Sequence, residues 1–492
     1  MKKQTFLHGA VILAVASILC KIMSAALKIP LDRLFLHEEG IGIYQSAYSV
    51  YNVFLAFCVT GIPIALSSLI AGKDDEEAAS LTKSTLYAVS FLGAVFAALL
   101  FLFANPIARL LSGGDEAVSA PSLMVLAPAL LVMGIISSRK GFFQGKSVMT
   151  PSAIGQLGES LIKVILGIAL CAVFVKRGIS YGAAGAIAGV SAGAILQAII
   201  LEIFYTRTKI KGGTFSVKKA LSVLKISLPM TLGAFGFTAV MLLDSLSVPK
   251  ILASIGDDLP TRLKMMGYLT RSITIYNLPA TIISAFTASA VPALAYAKAQ
   301  GDKLGENCLR AIKLVFLASL PCALGMILFN KEIFMFVYST AGYSELLALS
   351  GVMVVIMPYV QTTTAMLQTM GKVWLPILST LGAVLLKAVL NVFFVRSFGI
   401  VGAPIATIVA FALAFVINTI WLTKIAKMNG AVKEISRIVF CALISCGGAW
   451  IIYSFIKTST MFLICLALAV VVYLALVFRL GCITKAELRG KE

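Results

Sequence analysis

Seven charged side chains interrupt stretches of the chain that are otherwise long and apolar. They are five cations and two acids: Lys21, Lys28, Lys163, Arg271, Lys387, Glu159 and Asp244. A charged residue at the centre of a bilayer costs about 2.5–3.5 kcal/mol on the insertion scale, so these groups are expected to face a hydrated cavity or one another. Their excess positive charge favours an anionic ligand, and phosphate or pyrophosphate is the expected chemistry.

Two of these lysines share one helix face. Lys21 and Lys28 are seven residues apart, and about 3.6 residues per turn bring both amines to the same side of the first helix. They predict a positive track for the ligand, with an ion pair inside the bundle as the alternative for Lys21. Arg271 and Lys387 are predicted to add to this site. Nearby uncharged side chains are candidates to hydrogen-bond a sugar, with packing as the alternative: Gln45, Tyr48, Asn52 and Asn277.

The two acids are candidates for ion coupling by Na+ or H+. Glu159 lies four residues before Lys163, the favourable order for an intrahelical ion pair, so mutual neutralisation is the competing interpretation. Lys387 matches Lys163 in an internal repeat but has no acid at the matching place. Asp244 either binds a coupling cation or pairs with Lys250, and the sequence does not decide between them.

The composition places these residues in a membrane protein. The chain has 492 residues, of which 60% are hydrophobic and 13% charged, and its mean hydropathy is +0.99. Apolar stretches of about 20 residues, the length that crosses a bilayer core, recur from residue 7 to residue 480. They lack the alternation of barrel strands, so we expect an all-α polytopic protein with 14 transmembrane helices.

Two halves of the chain resemble each other. Four segment pairs recur in the same order at offsets of about 217 to 229 residues: Tyr51-Asn52 and Tyr276-Asn277, GIPIAL at 61–66 and AVPALA at 290–295, Lys163 and Lys387, and YGAAGA at 181–186 and FGIVGA at 398–403. Six spans per half predict two parallel six-helix lobes around a central cavity, plus two extra C-terminal helices. The predicted domains are a first lobe at 1–206, a basic linker at 207–221, a second lobe at 222–425, and the added helices with a tail at 426–492.

The net charge of +20 is explained by topology. Lysine and arginine concentrate in the loops on one side, which predicts that both termini are cytoplasmic. Short inter-helix loops offer no basic groove, so no nucleic acid is expected. The segment GFFQGKS at 141–147 has three residues where a P-loop needs four, and the two histidines are far apart. We therefore expect no catalytic residues, no cofactor and no metal site.

Four motifs carry a family resemblance over nearly the whole chain. They are GIYQSAY at 42–48 with GIP at 61–63, RKGFFQG at 139–145 with MTP at 149–151, SLP at 227–229 with Asp244, and LQ at 367–368 with GK at 371–372. On these motifs the chain resembles the multidrug, oligosaccharidyl-lipid and polysaccharide flippase superfamily. Within it, the chain is similar to the polysaccharide transporter branch that includes the stage V sporulation protein B group and the lipid II flippases.

The resemblance implies a bacterial cytoplasmic-membrane flippase. Its expected substrate is a polyprenyl-diphosphate-linked sugar, moved by alternating access between the lobes, with the lipid tail beside the two extra helices. Lys21, Lys28 and Arg271 correspond to basic residues of lipid II flippases. Membrane lipid and other envelope-synthesis proteins are the expected partners. The alternatives are a cation-coupled multidrug exporter of the same superfamily and a non-transporting scaffold for envelope synthesis.

Overall fold

The computed structural model describes residues 6–115, 117–208, 210, 213–288, 304–426, 428 and 430–482. Within them every regular element is a helix, which confirms the all-α prediction. The second-half counterpart of the GIP motif, at 290–295, and the tail after residue 482 lie outside the described residues. So do Lys209 and Lys211 of the basic linker.

The first half contains nine α-helices. They are α1 (Phe6–Leu31), α2 (His37–Leu55), α3 (Gly61–Ile70), α4 (Asp75–Leu102), α5 (Ala104–Ser112), α6 (Ala120–Leu131), α7 (Met133–Gly145), α8 (Thr150–Phe174) and α9 (Ile179–Thr206). The remaining α-helices among the described residues are α10 (Val217–Ser254), α11 (Leu259–Ala288), α12 (Leu304–Leu328), α13 (Asn330–Tyr338), α14 (Glu345–Thr369), α15 (Trp374–Phe398), α16 (Gly402–Ala426), α17 (Ala431–Phe455) and α18 (Ser459–Arg479).

Several predicted spans are broken or lengthened in the structure. The second span is α2 and α3 joined by a π-helical turn at Ala56–Thr60, and a similar turn at Asp32–Leu36 precedes α2. Such turns insert an extra residue into a helix and reorient the helical segment after it. The fourth span is the pair α6 and α7, bent by 42°. The helix α4 starts at Asp75, before the apolar stretch at 84–104 that predicts the third span, because the Asp74 side chain caps it by accepting a hydrogen bond from the Glu77 backbone amide.

Eleven helical segments among the described residues are long and apolar enough to cross a membrane, or twelve if the bent pair counts as one span. One of these segments, Trp374–Ala426, holds both α15 and α16. The chain is therefore a multi-pass membrane protein, and the count of fourteen spans stays a prediction.

The chain divides into two compact units. The first consists of Met1–Thr270 with Lys387–Ala403, and the second of Arg271–Leu386 with Pro404–Glu492. In the first unit α8 packs along α9 and α1, and α10 packs on α2 and α3. In the second, α12 packs on α14 and α17, and α17 packs on α18. The predicted boundaries of the two lobes stay a prediction.

Two close helix approaches in the first unit depend on glycine. A Cβ on Gly42 of α2 would lie 2.9 Å from the Leu263 carbonyl oxygen and 3.0 Å from the Gly267 nitrogen of α11. A Cβ on Gly267 would meet the Glu38 carbonyl group and lie 2.8 Å from its Cα. Backbone therefore touches backbone where α2 crosses the start of α11. Just before α11, the Asp258 carboxylate accepts hydrogen bonds from Thr261, which lower the pKa of Asp258.

Candidate functional site

A row of polar side chains joins α1, α2 and α8 in the first unit. The Lys28 amine donates a hydrogen bond of 2.7 Å to Gln45 Oε1 on α2, and the Lys163 amine donates one of 2.7 Å to the Ser24 hydroxyl on α1. Ser17 also bonds Gln156 of α8 at 3.4 Å. We call these lysines and their partners the α1–α8 polar seam.

The lysines of the seam have neutral partners. Neither Lys28 nor Lys163 has a carboxylate oxygen within 4 Å of its amine in the described part of the chain, so neither forms an ion pair there. Their ammonium groups are close enough to repel each other. A buried amine held only by an amide or hydroxyl oxygen has no counter-charge, so an arriving anion strongly stabilises its charged form.

Glu159 and Lys163 do not form the intrahelical ion pair that their spacing suggests. Lys163 is buried and turns to Ser24, while Glu159 is half-buried and acts electrostatically on Lys140 of α7. An exposed i,i+4 pair contributes only about 0.2–0.5 kcal/mol, so a tertiary hydrogen bond readily replaces it. The seam therefore keeps more positive charge than the sequence pattern indicates.

Lys140 is the cation that sequence reasoning missed. The motif RKGFFQG lies just after the apolar stretch at 119–138 that predicts the fourth span, but α7 continues through it and buries Lys140 to 7% exposure. The Lys140 amine has no hydrogen bond or ion pair among the described residues. The signal in the sequence was the run of apolar and small residues at 133–138 before the motif, together with Gly141, Phe142 and Phe143 within it, which allows the helix to continue.

The neighbouring Arg139 has a different surrounding. Its guanidinium donates two hydrogen bonds to the Glu202 carboxylate, at 2.8 and 3.1 Å, and lies 3.7 Å above the Tyr205 ring of α9. Such a bidentate pair fixes geometry as well as charge. Arg139 therefore fastens α7 to α9 and leaves Lys140 as the more available cation of the two.

The other predicted residues of the first unit lie on α1 and α2. Lys21 is exposed on α1 and makes no ion pair with a described residue, so the alternative of an ion pair inside the bundle is not seen. Gln45 is buried, Tyr48 stacks on Tyr44 with ring centroids 5.8 Å apart, and Asn52 is half-buried on the same helix. The structure thus brings Lys28 and Gln45 together, and it places Tyr48 against Tyr44 one turn further along α2.

Arg271 and Asn277 belong to the second unit. Arg271 is buried to 4% exposure, and its guanidinium lies 5.0 Å from the centroid of the Tyr338 ring. Asn277 is half-buried six residues further along α11. A guanidinium on an aromatic face is held in place while its edge remains able to donate hydrogen bonds.

Asp244 pairs with Lys387, and not with Lys250. The Lys387 amine lies 2.6 Å from Asp244 Oδ2, and the Asn391 amide nitrogen lies 3.0 Å from Asp244 Oδ1. The Lys387 side chain is fully buried and Lys250 is exposed. The position of Asn391, one turn after Lys387, was the signal that sequence reasoning overlooked.

The second unit contains an apolar groove of about 480 Å³ beside the C-terminal helices. It is lined by side chains of α11, α12, α13, α17 and α18, among them Leu317, Leu466 and Val470. The one hydroxyl of the lining, on Tyr473, donates to the Leu317 carbonyl oxygen at 2.7 Å. Gly325 borders the groove, and a Cβ there would meet nothing within 4 Å. The groove can accept a hydrocarbon chain.

Comparison with known proteins defines the class. The family model described as polysaccharide biosynthesis protein matches residues 6–298, and the chain belongs to this family. It is accordingly a member of the superfamily of polysaccharide and lipid II flippases, which are membrane transporters and not enzymes. The predicted resemblance is confirmed.

Among individual proteins, the chain is 27% identical to stage V sporulation protein B of Bacillus subtilis (strain 168), over 99% of this chain and 98% of that protein. It is 21% identical to lipid II flippase MurJ of the same organism, over 97% and 96%. Its fold matches a solved structure of lipid II flippase MurJ in an inward closed conformation, with a TM-score of 0.77 and 16% identity over 95% of this chain and 98% of that one. An inward-facing transporter of the multidrug MATE family matches with a TM-score of 0.70 at 16% identity, over 83% and 96%.

Proposed function

We propose that this protein flips a polyprenyl-diphosphate-linked sugar, a precursor of a cell-envelope or spore polysaccharide, across the cytoplasmic membrane by alternating access. The observation that carries the proposal is the α1–α8 polar seam, whose lysine ammonium groups are held by neutral oxygens. A diphosphate presents several charged oxygens at once, so it is attracted by a group of cations that lack anionic partners. The relatives named for sporulation and for lipid II flipping support the same substrate class.

Seven of the eight predicted substrate-binding residues have a role in this proposal, and Lys387, whose amine is paired with Asp244, has none. Lys21, Lys28 and Arg271 bind the diphosphate. Gln45, Tyr48, Asn52 and Asn277 orient the sugar through hydrogen bonds and stacking. Gln45 already holds the Lys28 amine, so an arriving phosphate oxygen competes with a neutral amide for that hydrogen bond. A charged acceptor forms the stronger bond, and the exchange favours capture.

The apolar groove supports the lipid part of the proposed substrate. Its lining offers hydrocarbon contact with no unsatisfied hydroxyl. A polyprenyl chain seated there stays in an apolar environment while the charged head passes through a hydrated path, so neither part of the molecule is transferred at its full solvation cost.

The test is flipping of a labelled polyprenyl-diphosphate sugar in proteoliposomes. Lys28→Ala is expected to lower the flipping rate at least tenfold, because one charge-assisted contact of about 1.5–3 kcal/mol is lost. Lys28→Arg is expected to retain most of the rate. Lys73→Ala serves as the matched control, since Lys73 is an exposed lysine paired with Glu77 outside the seam. Full activity in Lys28→Ala, with folding verified, overturns the site.

The substrate class is tested with two further lipids. A polyprenyl monophosphate sugar carries less charge than the diphosphate and is expected to be flipped more slowly. A zwitterionic phospholipid is expected not to be flipped. Equal rates for all three lipids, or export of cationic dyes with no flipping, overturn the proposal and favour the multidrug exporter or a lipid scramblase.

The groove is tested with Gly325→Leu, which places a side chain into its open space. Flipping of a substrate with a long polyprenyl chain is expected to fall, while a short-chain analogue is flipped at the original rate. Gly447→Leu on α17 is the control, because a Cβ on Gly447 also meets nothing within 4 Å but the residue does not line the groove. Equal effects on both chain lengths contradict a tail-binding role.

A further inference from the structure

The side chains around Asp244 form a set of oxygen ligands of the kind that bind alkali cations. Both Asp244 carboxylate oxygens, the Ser247 hydroxyl and the Asn391 amide meet between α10 and α15. Asn391 Oδ1 is buried and has no hydrogen-bond partner among the described residues. Carboxylate, amide and hydroxyl oxygens are the ligands that hard cations prefer.

The carboxylate of this oxygen set is already paired with an ammonium group of the chain itself. Lys387 is 0% exposed and its amine lies 2.6 Å from Asp244 Oδ2. A carboxylate in the interior of a membrane protein needs a counter-charge, because a lone buried ion is strongly disfavoured. Lys387 supplies that charge from within the chain, so no ion has to be taken from solution.

The orientation of Asn391 supports this interpretation. Its amide nitrogen faces Asp244 Oδ1 at 3.0 Å and the Ser247 hydroxyl at 2.9 Å, so its carbonyl oxygen is left without a partner. The opposite orientation would place two acceptor oxygens against each other. The carboxylate therefore fixes the amide with its nitrogen toward the site, and among the described residues the amide oxygen takes no part in holding the Lys387 ammonium.

The geometry points to Lys387 as a tethered replacement for a coupling cation. Asp244 then binds no exchangeable Na+ or K+, and transport by this protein does not depend on a cation cycle at this site. A dissolved cation could bind Asp244 only by displacing the Lys387 amine, which would leave a fully buried ammonium without its counter-charge. Removal of the Lys387 charge converts the same oxygen set into a site for a free monovalent cation.

The experiment measures thermal unfolding of the purified full chain in nanodiscs. NaCl is varied from zero to about 300 mM at constant ionic strength, balanced with N-methylglucamine chloride. The wild type is expected to show no Na+-specific shift in Tm. Lys387→Gln is expected to have a lower Tm without Na+ and to gain about 3 °C, saturably, as Na+ binds the folded state. The double variant Asp244→Asn with Lys387→Gln is expected to lose this gain.

Two results overturn the inference. One is a folded Lys387→Gln protein whose Tm responds to none of Li+, Na+ and K+. The other is saturable binding of radioactive 22Na+ to the wild type that Asp244→Asn abolishes, and this measurement is informative even if Lys387→Gln does not fold. Lys250→Gln is the control, since Lys250 is an exposed lysine of the same helix α10. Both readouts are independent of flipping, so their outcome is separate from that of the proposed substrate.

Discussion

The crossing of α2 and α11 gives a prediction about conformational equilibrium. Gly267→Ala adds a methyl group that meets the Glu38 backbone, with the new Cβ 2.8 Å from the Glu38 Cα. Carbon atoms in contact are normally about 3.5–4.0 Å apart, so the two helices must separate by roughly 1 Å. Backbone atoms cannot rotate away as a side chain does. The described conformation is therefore destabilised relative to states in which α2 and α11 are apart.

Overpacking of this kind costs about 1–3 kcal/mol. Since about 1.4 kcal/mol is a tenfold change in an equilibrium constant, the population with α2 and α11 in contact is expected to fall roughly 5- to 140-fold relative to the separated state. Gly42→Ala is expected to act in the same direction but less strongly, because its new Cβ would lie 2.9 Å from the Leu263 carbonyl oxygen. Gly447→Ala on α17 is the control, with no neighbour within 4 Å.

Zero-length cross-linking measures this contact directly. Lys264 of α11 lies 3.9 Å from Glu39 of α2, and a carbodiimide joins an amine and a carboxylate at such a distance. The yield of the Lys264–Glu39 link is measured by mass spectrometry. It is expected to fall at least fivefold in Gly267→Ala when the population with α2 and α11 in contact no longer dominates. The Lys146–Asp75 link, across 2.7 Å, is the internal standard of the same sample. An unchanged Lys264–Glu39 yield in folded Gly267→Ala refutes this reasoning.

Three further substitutions test contacts within each unit by thermal unfolding. Arg139→Lys keeps the charge but loses the bidentate pair with Glu202, so the free energy of unfolding is expected to fall by about 1–2 kcal/mol. A free energy of unfolding equal to that of the wild type would contradict the role of Arg139 in holding α7 against α9. Asn418→Ala removes a fully buried amide that forms hydrogen bonds with side chains of both α14 and α15, so the free energy of unfolding is expected to fall by about 2–4 kcal/mol. A loss below about 1 kcal/mol would contradict the role of this amide in joining the two helices. Lys73→Ala breaks an exposed pair and is expected to change stability by less than about 0.5 kcal/mol, and a larger loss would mean that this pair is not a simple surface contact.

Much of the fold depends on properties that are local in sequence. Helix class and approximate span positions follow from apolar length, because lipid offers no partner for an unpaired backbone group. The breaks are harder to predict. The π-helical turn at Ala56–Thr60 and the bend between α6 and α7 occur in apolar sequence, where hydropathy gives no sign of a break. Pro128 of α6 and Gly134 of α7 are the local features nearest the bend, and many membrane helices contain such residues.

The partners of the charged residues depend on tertiary structure. The Glu159–Lys163 spacing indicates an ion pair, yet Lys163 bonds Ser24, which lies 139 residues away in the sequence. Asp244 pairs with Lys387 across 143 residues. A local pattern worth a few tenths of a kcal/mol does not compete with a contact made in the folded interior. Sequence alone therefore located most of the charged residues within the spans and left their pairing undetermined.

The positive charge of the α1–α8 polar seam also bears on the leakage of protons and sodium ions across the membrane. A carrier that exposes a hydrated path in turn to each side risks dissipating the proton and sodium gradients of the cell. Lys28, Lys140 and Lys163 outnumber Glu159 among the charges of α1, α7 and α8, and fixed positive charge beside the path that we propose for the substrate repels small cations. In the proposed mechanism, the charges that attract a phosphorylated head therefore also reduce the leakage of cations across the membrane.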